Sequence, residues 1–324
     1  MDAKFHSRMK SLGFDNINNV IEKYSEPHRF YHTLKHIKEL LDQLEMKQLY
    51  DNDVLFLATV YHDIIYDPTR NDNEQLSADE FEKDATVFLK HLNPATIDEV
   101  KQLILDTKTH TPSTDLSAIF CEMDMSVLKR PFAELIVYEE EIFKEFQFHD
   151  YKNYKAGRIE FLTKVQAELN IDLLSLIDYV RTRQPKIAVY AGSFNPFHKG
   201  HLNILEKAEK VFDKVIIARG VNPEKNRDEQ YKMPTSLKYR QQAEYRGLLT
   251  DFVAELGYPV TVIRGLRNST DLQYELNQYR YLQDLTNNQI NIVSIFCDRE
   301  FEHISSTAIR QLKNFGKEAD YLVN

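Results

Sequence analysis

Two groups of residues in this 324-residue chain have the types and spacing that phosphate chemistry requires. In the C-terminal half, His198 and His201 stand as His-x-Gly-His around Gly200. Two imidazoles can donate hydrogen bonds to phosphoryl oxygens as negative charge builds on them, and glycine lets the backbone come close to a phosphate. Arg264 and Arg267, spaced as Arg-Gly-Leu-Arg around Gly265, can both reach a phosphate chain. The run Ile304-Ser305-Ser306-Thr307-Ala308-Ile309-Arg310 puts hydroxyls where a helix N-cap stands, and they can serve bound phosphate instead. In the N-terminal half, His32 and His36 are four residues apart, His62 adjoins Asp63 in apolar surroundings, and Asp124 lies in a further apolar stretch. Charged groups in such places need partners, and a metal is the usual one. One histidine, then the His-Asp pair, then an aspartate can close around one divalent cation, with positions left for water and substrate. Such a cation acidifies water and polarises a phosphoryl group.

These residues must be carried by regular elements. From Ile17 to Val180 apolar residues recur at three- and four-residue spacing, as in Ile37–Leu44, Asp53–Tyr66 and Ile97–Thr107, which predicts an all-α first half. His62-Asp63 is expected within one such helix, and His32 and His36 on one face of another. Ser77 with Glu80 reads as a capping box, residues 68–73 and 111–115 as loops, and Glu139-Glu140-Glu141 as a solvated face. Beyond Pro185 the pattern changes to short apolar strands at residues 186–190, 214–221, 259–263 and 290–296, each followed by a loop and a helical stretch. That alternation predicts an α/β domain with a doubly wound parallel sheet. The boundary falls at about residue 184, giving domains 1–184 and 185–324. The histidine loop follows the first of these strands, at the carboxyl edge where ligands bind in such sheets.

Composition narrows the function classes. Residues 1–185 carry 33 acidic against 22 basic side chains, and residues 186–324 carry 17 against 19. Neither half has the basic excess of a general nucleic-acid binder. No run approaches the roughly 20 apolar residues of a membrane span, and the N-terminal residues lack the core of a signal peptide. Cys121 and Cys297 are the only cysteines, which excludes a disulfide scaffold and fits a cytoplasmic location.

The C-terminal motifs, in order after strands, resemble the Rossmann-like nucleotidylyltransferase superfamily and within it the phosphopantetheine adenylyltransferases. The likeness rests on "YAGSFNPFHKGHLNILEKAEKVFDKVIIARGVNPEK", "VIRGLRNSTDLQYE" and "ISSTAIRQL". It implies an enzyme of coenzyme A biosynthesis that transfers AMP from ATP to a 4′-phosphopantetheine-like acceptor, with Mg²⁺ on the phosphates and pyrophosphate released. It implies His201 and His198 as catalytic groups and Ser193, Phe194, Gly265, Arg267, Glu275, Ser305, Ser306 and Thr307 as the ATP site. Lys225 would act in catalysis and, with Arg264 and Leu249, hold the acceptor. Three departures weaken the acceptor more than AMP transfer. Ser193 and Asn195 replace the family's Thr and Asp, His198 replaces its usual Thr, and Lys225–Gly247 is short, as if one strand were trimmed. The His form also occurs in nicotinate- or nicotinamide-mononucleotide adenylyltransferases and in cytidylyltransferases, so a pyridine mononucleotide is the alternative acceptor.

The first half resembles the HD superfamily of metal-dependent phosphohydrolases, through Tyr24–His36, His62–Ala78 and Gly157-Arg158. This implies His36, His62, Asp63 and Asp124 as ligands of a divalent ion, with Mn²⁺, Mg²⁺, Fe²⁺ and Zn²⁺ all open. By similarity to cyclic-nucleotide phosphodiesterases it implies His32 as general acid. Glu74 is a candidate to orient water, and His28, Arg29 and His110 to hold phosphate or a second metal. The half reads as a hydrolase or, alternatively, as a binding module without turnover. The expected partners are small molecules, not nucleic acid or membrane. A homo-oligomer is left open, because related adenylyltransferases form hexamers and a fused helical half can obstruct that packing.

Overall fold

The computed structural model describes residues 1–14, 17–89, 92–221, 231–286 and 289–323. The chain divides into two compact units: residues 1–146 with 156–181, and residues 147–155 with 182–324.

The first unit is helical. Its larger core joins α1 (Ala3–Ser11), α2 (Ile17–Lys23), α3 (Leu34–Met46), α4 (Asp53–Tyr61), α5 (Asn73–Phe88), α6 (Pro94–Asp106) and α7 (Asp115–Asp124). Short polar side chains start these helices by accepting from orphan amides: Asp2, Thr33, Asn52, Asn93 (with Pro94 following) and Thr114. Helix α4 is buried along Val54–Tyr61, as a helix apolar on every side must be. A smaller core joins α8 (Phe132–Glu145), α9 (Tyr151–Leu169) and α10 (Leu174–Thr182).

Several local expectations are corrected. Helix α4 ends at Tyr61, so His62 and Asp63 lie just past it rather than within it. The cause is Arg29, whose buried guanidinium donates to the carbonyls of Asp63 (2.7 Å) and Ile64 (3.0 Å), fixing the chain as it leaves the helix. Helix α3 starts at Leu34 on an N-cap Thr33, so His32 stands before the helix carrying His36. Ser77 is no cap: α5 already runs from Asn73, and the Ser77 hydroxyl bonds both the amide and the carbonyl of Ile65. The glutamate run is not a solvated face. Glu139 is 1% exposed and accepts from Arg158 at 2.7 Å.

The second unit is a five-stranded, wholly parallel sheet in the order β3-β2-β1-β4-β5. The strands are β1 (Ile187–Gly192), β2 (Lys214–Gly220), β3 (Gln242–Tyr245), β4 (Thr261–Leu266) and β5 (Asn291–Phe296). Reversal of strand order on either side of β1 makes the sheet doubly wound, as the alternation predicts. Helix α11 (Lys199–Glu209) follows β1, α12 (Leu249–Leu256) precedes β4, α13 (Ser269–Thr286) follows β4, and α14 (Ser306–Lys313) follows β5. Within the short segment the described residues supply strand β3. What the short segment lacks, among its described residues, is a crossover α-helix, with only a 3₁₀ turn at Thr235–Leu237. Residues 147–155 belong to this unit. The buried ammonium of Lys214 donates to the carbonyls of Gln147 and His149, and Tyr258 donates to Asp150 at 2.8 Å.

Candidate functional site

The carboxyl ends of β1, β4 and β5 surround a cavity of about 550 Å³. It is lined from the first loop by His198, Gly200 and His201, from the end of β4 by Gly265, Leu266 and Arg267, and from the turn before α14 by Ile304, Ser305, Ser306 and Thr307. Thr270, Asp271, Tyr274 and Glu275 close it from α13. The three motifs, distant along the chain, meet at one rim of the sheet.

The histidine pair has a defined proton arrangement. His198 is the N-cap of α11; its Nδ1 accepts from the His201 amide, and His201 Nδ1 accepts from the His198 amide, both at 3.3 Å. An imidazole that accepts at Nδ1 carries its proton on Nε2 when neutral. Both rings are therefore donors at Nε2. They stack with centroids 3.6 Å apart at 18°. Burial, then the nearby Arg267, push His198 down to about 4. Burial, His198 and Arg267 hold His201 well below the usual histidine range. Gly200 serves this stack: a Cβ there would sit 3.2 Å from the His198 ring.

Arg267 is gripped by Asp271, with Nε to Oδ2 at 2.8 Å and Nη2 to Oδ1 at 2.9 Å. Ser305 caps α14 by accepting from the Ala308 amide at 3.2 Å, so the amides of that helix face the cavity rim. Ser306 donates to the Pro196 carbonyl at 3.0 Å, and Arg310 donates to the Asn195 carbonyl and to Thr307 Oγ1. These bonds tie the hydroxyl turn to the histidine loop.

Not every expected residue lines this cavity. Arg264 lies within β4, pairs with Glu275 at 3.2 Å, and lines a neighbouring cavity of about 280 Å³ with Leu272, Leu276 and Tyr279. The two arginines therefore serve different spaces, with Glu275 bordering both. Phe194 is 2% exposed and packs edge-on beneath His201 instead of on the wall. Ser193 is exposed, just outside the lining. Leu249 opens α12, buried and away from both cavities. Lys225 lies outside the described residues. Sequence reasoning missed Tyr190, Tyr274 and Cys297 on the wall and assigned no role to Asp271.

In the first unit, His36, His62 and Asp124 converge with all ligand atoms within 4.8 Å of one another. His36 Nε2 lies 3.1 Å from Asp124 Oδ1 and 3.2 Å from His62 Nε2. Asp63 Oδ2 lies 2.9 Å from His62 Nε2 and 3.9 Å from His36 Nε2, so the fourth expected group stands against the two histidines but outside the three-residue cluster. Burial opposes charge on His62, yet Asp63 and Asp124 prevail and push it up to about 9. Two carboxylates facing two imidazoles thus hold a proton where a cation would satisfy them all, and this donor set suits a divalent ion. His110 Nε2 holds the other oxygen of Asp124 at 2.9 Å.

His32 sits beside this cluster, against Glu145. One carboxylate oxygen of Glu145 accepts from the amides of Phe30, Tyr31 and His32, and the other from Tyr66 (2.7 Å) and His32 Nδ1 (2.6 Å). Burial would raise this carboxyl, but His32 and these amides hold it down to about 2. Burial lowers His32, and Glu145 together with Asp63 and Asp124 more than reverses that, so its proton is held more tightly than usual. Sequence reading did not find Glu145. Arg29 and His28 are spent internally, His28 on the Tyr66 carbonyl at 2.8 Å, and are not free to take a phosphate.

Residues 189–312 match a family model described as cytidylyltransferase-like. The chain is 38% identical over 143 residues to a phosphopantetheine adenylyltransferase of Clostridium botulinum strain Hall, covering 40% of this chain and 84% of the relative. It is 37% identical over 140 residues to a phosphopantetheine adenylyltransferase of Mycoplasma capricolum subsp. capricolum, covering 41% of this chain and 99% of the relative. No described helix is long and apolar enough to cross a membrane. With the paired histidines, the clamped arginine and the hydroxyl turn gathered at one sheet edge, the chain belongs through its second unit to the phosphopantetheine adenylyltransferase family of cytidylyltransferase-like nucleotidyltransferases.

Proposed function

We propose that residues 185–324 transfer AMP from ATP to the phosphate of a 4′-phosphopantetheine-type acceptor, and that residues 1–184 form a divalent-metal phosphohydrolase of the HD type. The observation that carries the first part is the meeting of His198, His201, Arg267 and Ser305–Thr307 around one cavity.

An acceptor phosphate oxygen attacks the α-phosphorus of ATP, the bond to the β-phosphate bridging oxygen breaks, and pyrophosphate leaves. No protein nucleophile is needed, so catalysis is positioning and charge stabilisation. His201, with His198 stacked on it, donates from Nε2 to the oxygens that gain charge. Arg267, the amides at the start of α14, and Ser305, Ser306 and Thr307 hold the triphosphate, with Gly265 and Glu275 beside the nucleotide. Arg264 and Lys225 serve the acceptor; Leu249, buried away from both cavities, is left out of that role. Mg²⁺ on the phosphates would neutralise part of their charge. A pyridine mononucleotide is the second acceptor to test, because His198 stands where the phosphopantetheine enzymes usually carry Thr.

In the first unit, His36, His62, Asp63 and Asp124 would hold a divalent ion, which when bound acidifies water and polarises a phosphate ester. His32, oriented by Glu145, presents its second nitrogen to protonate the leaving oxygen. A second reading, a metal-binding module without turnover, predicts bound metal and no hydrolysis of any nucleotide or phosphate ester offered. Mass spectrometry of products from ATP with 4′-phosphopantetheine, against ATP with nicotinamide mononucleotide, tests the transferase. An adenylylated pantetheine product is expected; an adenylylated pyridine product alone would overturn the acceptor, and neither product would overturn the transfer.

A further inference from the structure

We propose that Asp271 is a positioning residue for the triphosphate: it fixes the plane of the Arg267 guanidinium so that the remaining N–H groups face the cavity. The proposal rests on the adenylyl-transfer reading and adds a residue to it.

Geometry carries the inference. Asp271 takes Nε–H and one Nη2–H of Arg267 in a fork-to-fork pair at 2.8 and 2.9 Å, and Oδ2 also accepts the Arg267 backbone amide at 3.0 Å. A guanidinium is planar with five N–H groups, so two parallel bonds to one carboxylate set both its position and its plane. The third nitrogen, Nη1, reaches toward the Ile304 carbonyl at 3.5 Å, at the start of the hydroxyl turn. Arg267 is thereby aimed across the cavity from the end of β4 toward the amides of α14, where an anion would lie between the two. Asp271 is itself held: Asn268 Oδ1 accepts from the amides of Thr270 and Asp271, both at 3.1 Å, fixing the first turn of α13. An arginine without this clamp would lose its fixed geometry and would have to be ordered by the ligand, at a cost in binding free energy.

A carboxylate on the wall of a triphosphate site would otherwise be puzzling, since alone it repels phosphate. Its pairing with Arg267 explains it. Glu275, one helical turn on, makes a single ion-pair contact with Arg264 at 3.2 Å, without the fork, so α13 supplies one carboxylate to each arginine.

Calorimetric titration of the full-length protein with Mg-ATP, together with steady-state pyrophosphate release, tests the proposal. Asp271→Ala should weaken ATP binding and raise the KM for ATP by about tenfold, as lost bidentate orientation does, with the KM for the acceptor within about twofold and kcat changed less than the ATP KM. Asp271→Glu, which keeps the charge on a longer arm, should recover part of the loss, and the thermal midpoint should stay near that of the parent. Unchanged or tighter ATP binding in Asp271→Ala would overturn the proposal, because the carboxylate would then act only by repulsion. Equal rises in both KM values with a lowered thermal midpoint would also overturn it, as a structural role. Failure of the unaltered protein to bind Mg-ATP would overturn the adenylyl-transfer reading and the proposal with it.

Discussion

The two units use paired histidines in opposite ways. In the second unit His198 and His201 stack face to face beside Arg267, their Nδ1 atoms occupied by each other's backbone amides, and burial, with Arg267 close by, disfavours protonation of both. In the first unit His62 is buried and His32 half-buried, but Glu145, Asp63 and Asp124 face them and their protons are held tightly. One residue type thus becomes a fixed neutral donor in one place and a cation or cation ligand in the other. The neighbours decide, through the sign of the charge they bring. The lesson is that a histidine motif announces its chemistry only with its partners.

The contrast can be broken from either side. Removing a neutral donor should have the largest effect: His201→Ala should lower AMP transfer about a hundredfold or more, as loss of a transition-state donor does, without changing the metal content of the first unit. Normal pyrophosphate release in that variant would remove His201 from the reaction. On the other side, Asp63→Ala should abolish metal retention and leave AMP transfer unchanged. Elemental analysis after dialysis reads the first effect, and a full complement of metal would contradict the assignment. Glu145→Gln, which removes the charge but keeps the shape, should lower phosphohydrolase turnover by about tenfold to a hundredfold by releasing His32 from its orientation, with metal content retained; parent-like turnover would leave Glu145 a purely structural hub.

A smaller effect sharpens the comparison through pH. His198 and His201 have folded-state values below the unfolded reference of about 6.5. Below that pH the unfolded chain takes up protons that the folded second unit refuses. These two groups should therefore destabilise the fold as pH falls from about 6.5 toward the His198 value of about 4. Above it they should impose no inflection on the transfer rate. Nuclear magnetic resonance titration of the two ring protons checks this, and a midpoint near the ordinary histidine value would contradict it. The smallest effect concerns the strap of residues 147–155. Lys214→Met should lower the stability of the second unit by about 1–3 kcal/mol, because the Gln147 and His149 carbonyls lose a buried donor. Thermal denaturation monitors it, and an unchanged midpoint would show the strap to be independent of Lys214.

How much of this was legible in the sequence differs between local and distant interactions. The histidine loop, the Arg-Gly-Leu-Arg run that ends β4 and the hydroxyl turn could be read because each lies at or beyond the carboxyl end of a strand, and parallel sheets put such ends on one edge. The aspartates and histidines of the first unit's cluster could be named because charged groups in apolar stretches need partners, but their setting could not. His62 and Asp63 lie beyond α4 because Arg29, far upstream, takes the carbonyls where the helix would continue. Glu145 was invisible because its partner His32 is 113 residues away, and a glutamate near the end of an amphipathic helix looks solvated. Asp271 was half visible: its spacing from Arg267 permits an ion pair, but only the cavity gives that pair a purpose. Strand β3 escaped because Gln242-Ala243-Glu244-Tyr245 is a short, partly exposed edge with little apolar signal.

The most direct test of the central claim is to incubate the purified protein with ATP carrying label in the α-phosphate, Mg²⁺ and 4′-phosphopantetheine, then separate and weigh the products. The account predicts label in an adenylylated acceptor and one pyrophosphate released for each. Label appearing only in ADP or free AMP, with the acceptor unmodified, would contradict it.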